Sequence, residues 1–156
     1  MKTVIERTTG IIKPGWRELS ELLPDVGKLI AKHGLVVPVL HITTLSEEFC
    51  KEFYWRHVKA SYFGELVEHM TSASSIIMIF EGAGAVRIVR EGFLEIRSGY
   101  GKTGKDTKSI VHSADSQTHA KEETGIIYKF FPDLFSGKTE FVKEFLLKKT
   151  IKFNGT

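Results

Sequence analysis

Along the chain the spacing of apolar residues changes several times, and each change predicts an element. Arg7 to Ile12 reads as a first strand, stopped by Lys13-Pro14-Gly15, because proline and glycine together end a strand and open a loop. A helix follows with Pro24 near its first turn. Val26, Leu29, Ile30 and His33 share one face, and Gly34 stands as the stop. Leu35 to Ile42, rich in Val, Leu and Ile, reads as a second strand. Thr44 and Glu47 have capping-box spacing and open a helix through Phe49, Phe53 and Tyr54. A short helix covers about Phe63 to Met70, and Ser75 to Phe80 is a buried strand. Gly82-Ala83-Gly84 turns the chain into a helix carrying Val86, Val89 and Arg90.

From Gly92 to Lys108 the periodicity fails, and this Gly- and Lys-rich stretch reads as a long loop. Ser109 to His112 forms a short strand ending on the histidine. Asp115 or Ser116 then caps a helix through Ala120, Glu123 and Ile127. Beyond Ser136, Phe141, Val142, Phe145 and Leu146 fall at helical spacing. The order is βαββαβ, an α+β class with a ferredoxin-like four-stranded antiparallel sheet covered by helices. Residues 1–156 read as a single domain, with 136–156 a C-terminal extension. Many unrelated activities use this topology, so it decides no function by itself.

Composition narrows the picture a little. The chain is 42% hydrophobic and 26% charged, ordinary for a globular domain. A net charge of +3 does not argue for a nucleic-acid partner. The basic clusters Lys102–Lys108 and Lys148–Lys152 read first as solvated surface. Apolar runs such as Ile76 to Phe80 are far too short to span a membrane. The first residues lack the apolar region of a signal peptide. Cys50 alone can form no intrachain disulfide, and a reducing, cytoplasmic setting is expected.

Two triplets, Gly101-Lys102-Thr103 and Gly137-Lys138-Thr139, resemble the end of a phosphate-binding loop. That motif needs an earlier glycine where this chain has Ile96 and Pro132, so both are set aside. His112, Asp115 and His119 lie close together but lack a recognised metal spacing. Taken singly, His112 is a strand-end histidine, Lys13 a strand-end lysine, Arg90 a helix charge, and Tyr54 and Tyr62 core aromatics.

The informative pattern is distributed. Glu6-Arg7-Thr8 leads to Ile12-Lys13-Pro14. Phe53-Tyr54 with His57, then Tyr62-Phe63 with Leu66 and Met70, come next. Phe80-Glu81-Gly82 leads to Ala85-Val86, Arg90 and Ile96-Arg97. Ile110-Val111-His112-Ser113-Ala114-Asp115-Ser116 closes the pattern, with Ala120 and Glu123 beyond. In that order, from about Glu6 to Ile127, these residues resemble the nucleoside diphosphate kinase family.

The resemblance implies a phosphotransferase that moves the γ-phosphoryl of a nucleoside triphosphate to a nucleoside diphosphate through phosphohistidine. It makes His112 the nucleophile and Glu123 the carboxylate that orients it. Lys13, Tyr54, Arg90 and Arg97 match residues around the phosphates, and Tyr62 stands where the family stacks the base on a phenylalanine. It implies Mg²⁺ carried in with the nucleotide, and a homo-oligomer, dimer or higher. The chemistry suits the residues. Neutral imidazole is a nucleophile near pH 7, and arginines stabilise a transferring phosphoryl group.

The chain also departs from the family pattern. Ser113 and Ala114 follow the histidine where Gly-Ser is usual, Ser109 replaces an asparagine, and Gly15 replaces an aspartate. The segment between Arg90 and Arg97 is shortened and lacks a threonine that joins the phosphate contacts. These departures keep a second reading open, a catalytically weak nucleotide-binding or regulatory module. They also lead us to expect a homo-oligomer that keeps the dimer, nucleotide affinity weaker than usual for the family, and a Gly99–Lys108 segment that is mobile when no nucleotide is bound.

Overall fold

The computed structural model describes residues 4–100 and 109–134. The Lys102–Lys108 cluster, both Gly-Lys-Thr triplets and the segment from Ser136 onward lie outside the described residues. The elements in order are β1 (Ile5–Ile12), α1 (Leu22–His33), β2 (Val36–Thr43), α2 (Glu47–Phe53), α3 (Phe63–Thr71), β3 (Ser75–Ala83), α4 (Ala85–Gly99), β4 (Val111–Ser113) and α5 (Gln117–Phe130). The four strands form one sheet in the order β2-β3-β1-β4. Every pairing is antiparallel, with Ile11 opposite His112 and Thr9 opposite Ile79. This is the α+β, ferredoxin-like arrangement that the element order predicts.

Strand alternation divides the core. Ile12, Ile76, Met78 and Phe80 face one layer, where α1 and α4 bring Leu23, Val26, Ile30, Val89 and Phe93. Ile11, Ile77 and Ile79 face the other, where α2, α3 and α5 bring Phe49, Phe53, Leu66, Met70 and Ile127. Such side chains each contribute about 1.5–3 kcal/mol on burial, so two helix layers clamp β1 and β3 in the middle. At Gly10 an added Cβ would come within 2.6 Å of Phe80 Cε2 and 2.9 Å of Phe93 Cε2, so only hydrogen fits under the aromatic pair.

Two turns follow from glycine chemistry. Gly34 ends α1 at φ 61°, and its amide returns to the carbonyls of Ile30 and Ala31. Gly84 precedes α4 at φ 68° and offers no side-chain cap. Glu6 of β1 supplies the missing acceptor, 3.1 Å from the Val86 amide, while its other oxygen accepts from Gln117 Nε2 at 2.6 Å. One carboxylate thus ties the starts of α4 and α5 to the first strand.

Two sequence expectations require correction. The cap of α2 is Ser46, whose hydroxyl accepts the Phe49 amide at 3.0 Å, and not Thr44. Thr44 stands two residues too early for the helix that forms. The larger correction is α4. The sequence from Gly92 reads as loop, yet the helix runs unbroken to Gly99. Ala85, Val89, Phe93 and Ile96 continue one apolar stripe into the α1–α4 layer. Gly92 sits where a Cβ would lie 2.5 Å from Leu29 Cδ1. The glycine lets α1 and α4 approach closely, and the neighbouring contacts outweigh its intrinsic cost in a helix, about 1 kcal/mol.

Candidate active site

Buried polar side chains are the first pointer. Among the described residues, Thr9, Lys13, Ser109 and Glu123 are buried together with Thr8 and Ser75. Buried polar groups cost free energy unless they are bonded, and the first four converge at the β4 edge of the sheet. Thr9 Oγ1 donates to Glu123 Oε1 at 2.9 Å, and Lys13 Nζ donates to Ser109 Oγ at 3.1 Å.

His112 is the centre of this group. As the partner of Ile11 it projects to the α2/α5 face of the sheet, the face that also carries Thr9. Its Nε2 lies 2.5 Å from Glu123 Oε1, and the glutamate is only 5% exposed. Phe53 and Tyr54 stand edge-on to the imidazole, with centroids at 5.0 and 5.5 Å. The ring is therefore fixed on two sides and partly open on the rest. With Nε2 carrying the proton toward the carboxylate, the lone pair belongs to Nδ1.

Cations reach the β4 edge from two elements. Lys13 ends β1, its amide bonded to the Ile110 carbonyl at 2.9 Å beside β4. Arg97 donates from Nη2 to the Val111 carbonyl at 2.7 Å, while its Nε is buried with no hydrogen-bond partner among the described residues. Desolvation lowers the Arg97 pKa, opposed by Asp115 and Tyr54. Arg90 lies two helical turns earlier on α4, hence on the same face and about 10 Å away along the axis. Its Nε is 3.9 Å from Asp115 Oδ1 at the start of α5. The shortened connection between the two arginines is thus a straight helix, which aligns both without the family's longer loop.

The Tyr54 hydroxyl is also buried without a hydrogen-bond partner among the described residues. Desolvation raises its pKa well above the ordinary phenol range, Cys50 and Glu123 adding to the rise and Arg97 opposing it. An orphaned phenol and an orphaned guanidinium nitrogen beside one histidine are donors awaiting an acceptor. Tyr62 lies at the outer end of the same aromatic row. It is 40% exposed, and its hydroxyl meets His57 Nδ1. A groove of about 660 Å³ is lined by Glu6, Arg90, Leu94, Asp115 and Gln117. A second groove of about 720 Å³, between α1 and α4, is lined by none of the candidate site residues.

The structure therefore gathers His112, Glu123, Lys13, Ser109, Tyr54 and Arg97 at one end of the sheet. It sets Arg90 beside Asp115 and Tyr62 at the rim. Thr9, Phe53 and Glu6 were not singled out as site residues by sequence reasoning. Thr9 in a strand reads only as β propensity, and its bond to Glu123 spans most of the chain. Among the described residues no group of three or more His, Cys, Asp or Glu is arranged to hold a metal ion.

Comparisons with known proteins identify the family. A family model described as nucleoside diphosphate kinase matches residues 6–132. The nucleoside diphosphate kinase of Thermobifida fusca is 35% identical over 141 residues, covering 83% of this chain and 99% of that protein. The nucleoside diphosphate kinase of Anaeromyxobacter sp. strain K is 35% identical over 138 residues, covering 83% and 91%. The solved nucleoside diphosphate kinase of Aquifex aeolicus superposes with TM-score 0.67 at 29% identity, over 80% of this chain and 95% of that one. The enzyme from Encephalitozoon cuniculi superposes with TM-score 0.71 at 24% identity over 90% of this chain and 99% of that one, which speaks to the fold alone.

Proposed function

Because the chain belongs to the nucleoside diphosphate kinase family and is an enzyme of nucleotide phosphotransfer, we propose that His112 carries the phosphoryl group between donor and acceptor. The observation that supports this most is the 2.5 Å contact between His112 Nε2 and Glu123 Oε1. It leaves Nδ1 as the nucleophile. The Nδ1 lone pair attacks the γ-phosphorus of a bound nucleoside triphosphate, the bond from that phosphorus to the β–γ bridging oxygen breaks, and the nucleoside diphosphate leaves with the electron pair. A second nucleoside diphosphate then takes the phosphoryl from Nδ1 by the reverse step. The positive charge that develops on the ring is stabilised by Glu123, itself held by Thr9.

Phosphoryl transfer asks mainly for positioning and charge stabilisation. Arg97, Arg90 and Lys13 supply charge, and the Tyr54 hydroxyl and Arg97 Nε supply unspent donors. Ser109 holds Lys13 in place from one side. Tyr62 is the aromatic face for the base, and a stacked platform tolerates every base. Mg²⁺ fits as an ion carried on the nucleotide's phosphates, its usual mode with phosphate ligands. Asp115, exposed beside Arg90, would supply a carboxylate able to accept hydrogen bonds from water held by that ion. When bound, the ion neutralises phosphate charge.

These features favour the enzyme over a catalytically weak nucleotide-binding or regulatory module. β2 lies at a sheet edge with Val36 exposed, which supports association of the chain with copies of itself. Buried, unpaired Cys50 supports a reducing, cytoplasmic setting. Steady-state rates with varied triphosphate and diphosphate test the reading. Parallel double-reciprocal lines are expected, and intersecting lines would replace the two-step scheme with direct transfer.

A further inference from the structure

We infer that His57 is a positioning residue for nucleotide binding: its imidazole holds the Tyr62 hydroxyl and thereby fixes the aromatic platform against which the base lies. This rests on the reading of Tyr62 as that platform and adds what keeps it in place. Where the family stacks the base on a phenylalanine, Tyr62 brings a hydroxyl, and that hydroxyl meets His57 Nδ1.

His57 and Tyr62 both stand at the surface, and the turn that carries His57 is anchored by its hydrogen bonds and an ion pair. Residues Trp55–His57 form a turn of 3-10 helix. The His57 amide donates to the Tyr54 carbonyl at 2.8 Å, and the His57 carbonyl accepts from Ala60 at 2.9 Å. Arg56 pairs with Glu122 on α5, next to Glu123, and lies over the Trp55 ring at 4.6 Å. The turn is therefore tied to the helix that orients His112. Tyr62 immediately precedes α3 and is 40% exposed.

Ring positions give the pairing a direction. His112, Tyr54, His57 and Tyr62 form a row with successive centroid separations of 5.5, 6.4 and 5.7 Å. The row runs from the phosphoryl-accepting imidazole to the platform. A hydroxyl that donates to Nδ1 requires a neutral imidazole with its proton on Nε2. Burial lowers the His57 pKa, and so do the charges of His112, Arg56 and Lys13, opposed by Asp115. Such a tether reduces the rotamer freedom that an exposed aromatic ring would otherwise lose on stacking.

Steady-state kinetics on the full chain, with ATP as donor and GDP as acceptor, test this. His57→Ala should raise the acceptor KM about fivefold, the net effect of one hydrogen bond, while kcat changes less than about twofold. His57→Asn, whose side-chain oxygen falls near the position of Nδ1, should restore KM. Tyr62→Phe should reproduce the His57→Ala value, and the double variant should be no worse than either single one. An unchanged KM in His57→Ala, additive single effects, or no recovery in His57→Asn would overturn the inference. Tyr62→Ala separates the two levels. If it leaves KM unchanged, the platform reading itself fails. If it raises KM while His57→Ala does not, only the role of His57 fails.

Discussion

Glu123 offers the sharpest perturbation of the reaction centre. Its carboxylate is 5% exposed, 2.5 Å from His112 Nε2 and 2.9 Å from Thr9 Oγ1. Hydrogen bonds to charged groups contribute about 1.5–3 kcal/mol, and each 1.36 kcal/mol of barrier is about tenfold in rate. Glu123→Ala removes the whole interaction and should slow phosphorylation of the enzyme on the order of 100-fold. Glu123→Gln can still accept the Nε2 proton through its amide oxygen, so the tautomer survives and only the charge is lost. Its rate should fall about tenfold. The alanine variant also strands the Thr9 hydroxyl, which should lower unfolding free energy by about 1–3 kcal/mol. Single-turnover labelling by γ-labelled ATP reads the rates, and thermal melts read stability. An alanine variant that labels within about threefold of the parent, while its melt confirms the stability loss, would show that Glu123 is structural and does not act on the reacting imidazole.

Other outcomes follow from the same geometry. Arg97→Ala should cost about 4 kcal/mol of transition-state stabilisation and Arg90→Ala about 2, since Arg97 is the more buried and sits beside Val111; near-normal kcat/KM in both would make them surface charges. Gly10→Ala should destabilise by about 1–3 kcal/mol in a denaturant melt, because the new methyl enters the Phe80–Phe93 pair. Burial, with Glu47 adding, pushes the Cys50 thiol up to about 11, so alkylation at pH 8 should be negligible in the native protein and rapid after unfolding.

Much of the fold was legible because its signals are local. Pro14-Gly15 ends β1, Gly34 closes α1 and Ser116 caps α5 through the His119 amide at 3.1 Å. The second half of α4 was missed because Gly92 and Gly99 look like breakers in one dimension, whereas Gly92 answers a contact with Leu29 from another helix. Thr44 carries the capping-box spacing to Glu47, whereas Ser46 has Phe49 at that position, so spacing alone does not reveal the residue whose backbone is extended and whose hydroxyl caps α2. The grouping of His112, Glu123, Lys13, Tyr54 and Arg97 came from a family likeness. No local spacing links residues that meet through the register Ile11–His112. Thr9 carries an ordinary strand signal, and the contact between His57 and Tyr62, both in the family pattern, is visible only in the structure.

The central claim is that phosphoryl rests on Nδ1 of His112 while Nε2 faces Glu123. It can be tested by incubating the protein with γ-labelled ATP and Mg²⁺, quenching in base, and identifying both the modified residue and the phosphohistidine isomer by mass spectrometry and ³¹P NMR. The account predicts one acid-labile, base-stable phosphoryl on His112 Nδ1, discharged by added nucleoside diphosphate and absent from His112→Ala. Phosphate on Nε2, or label that persists in His112→Ala, would contradict it.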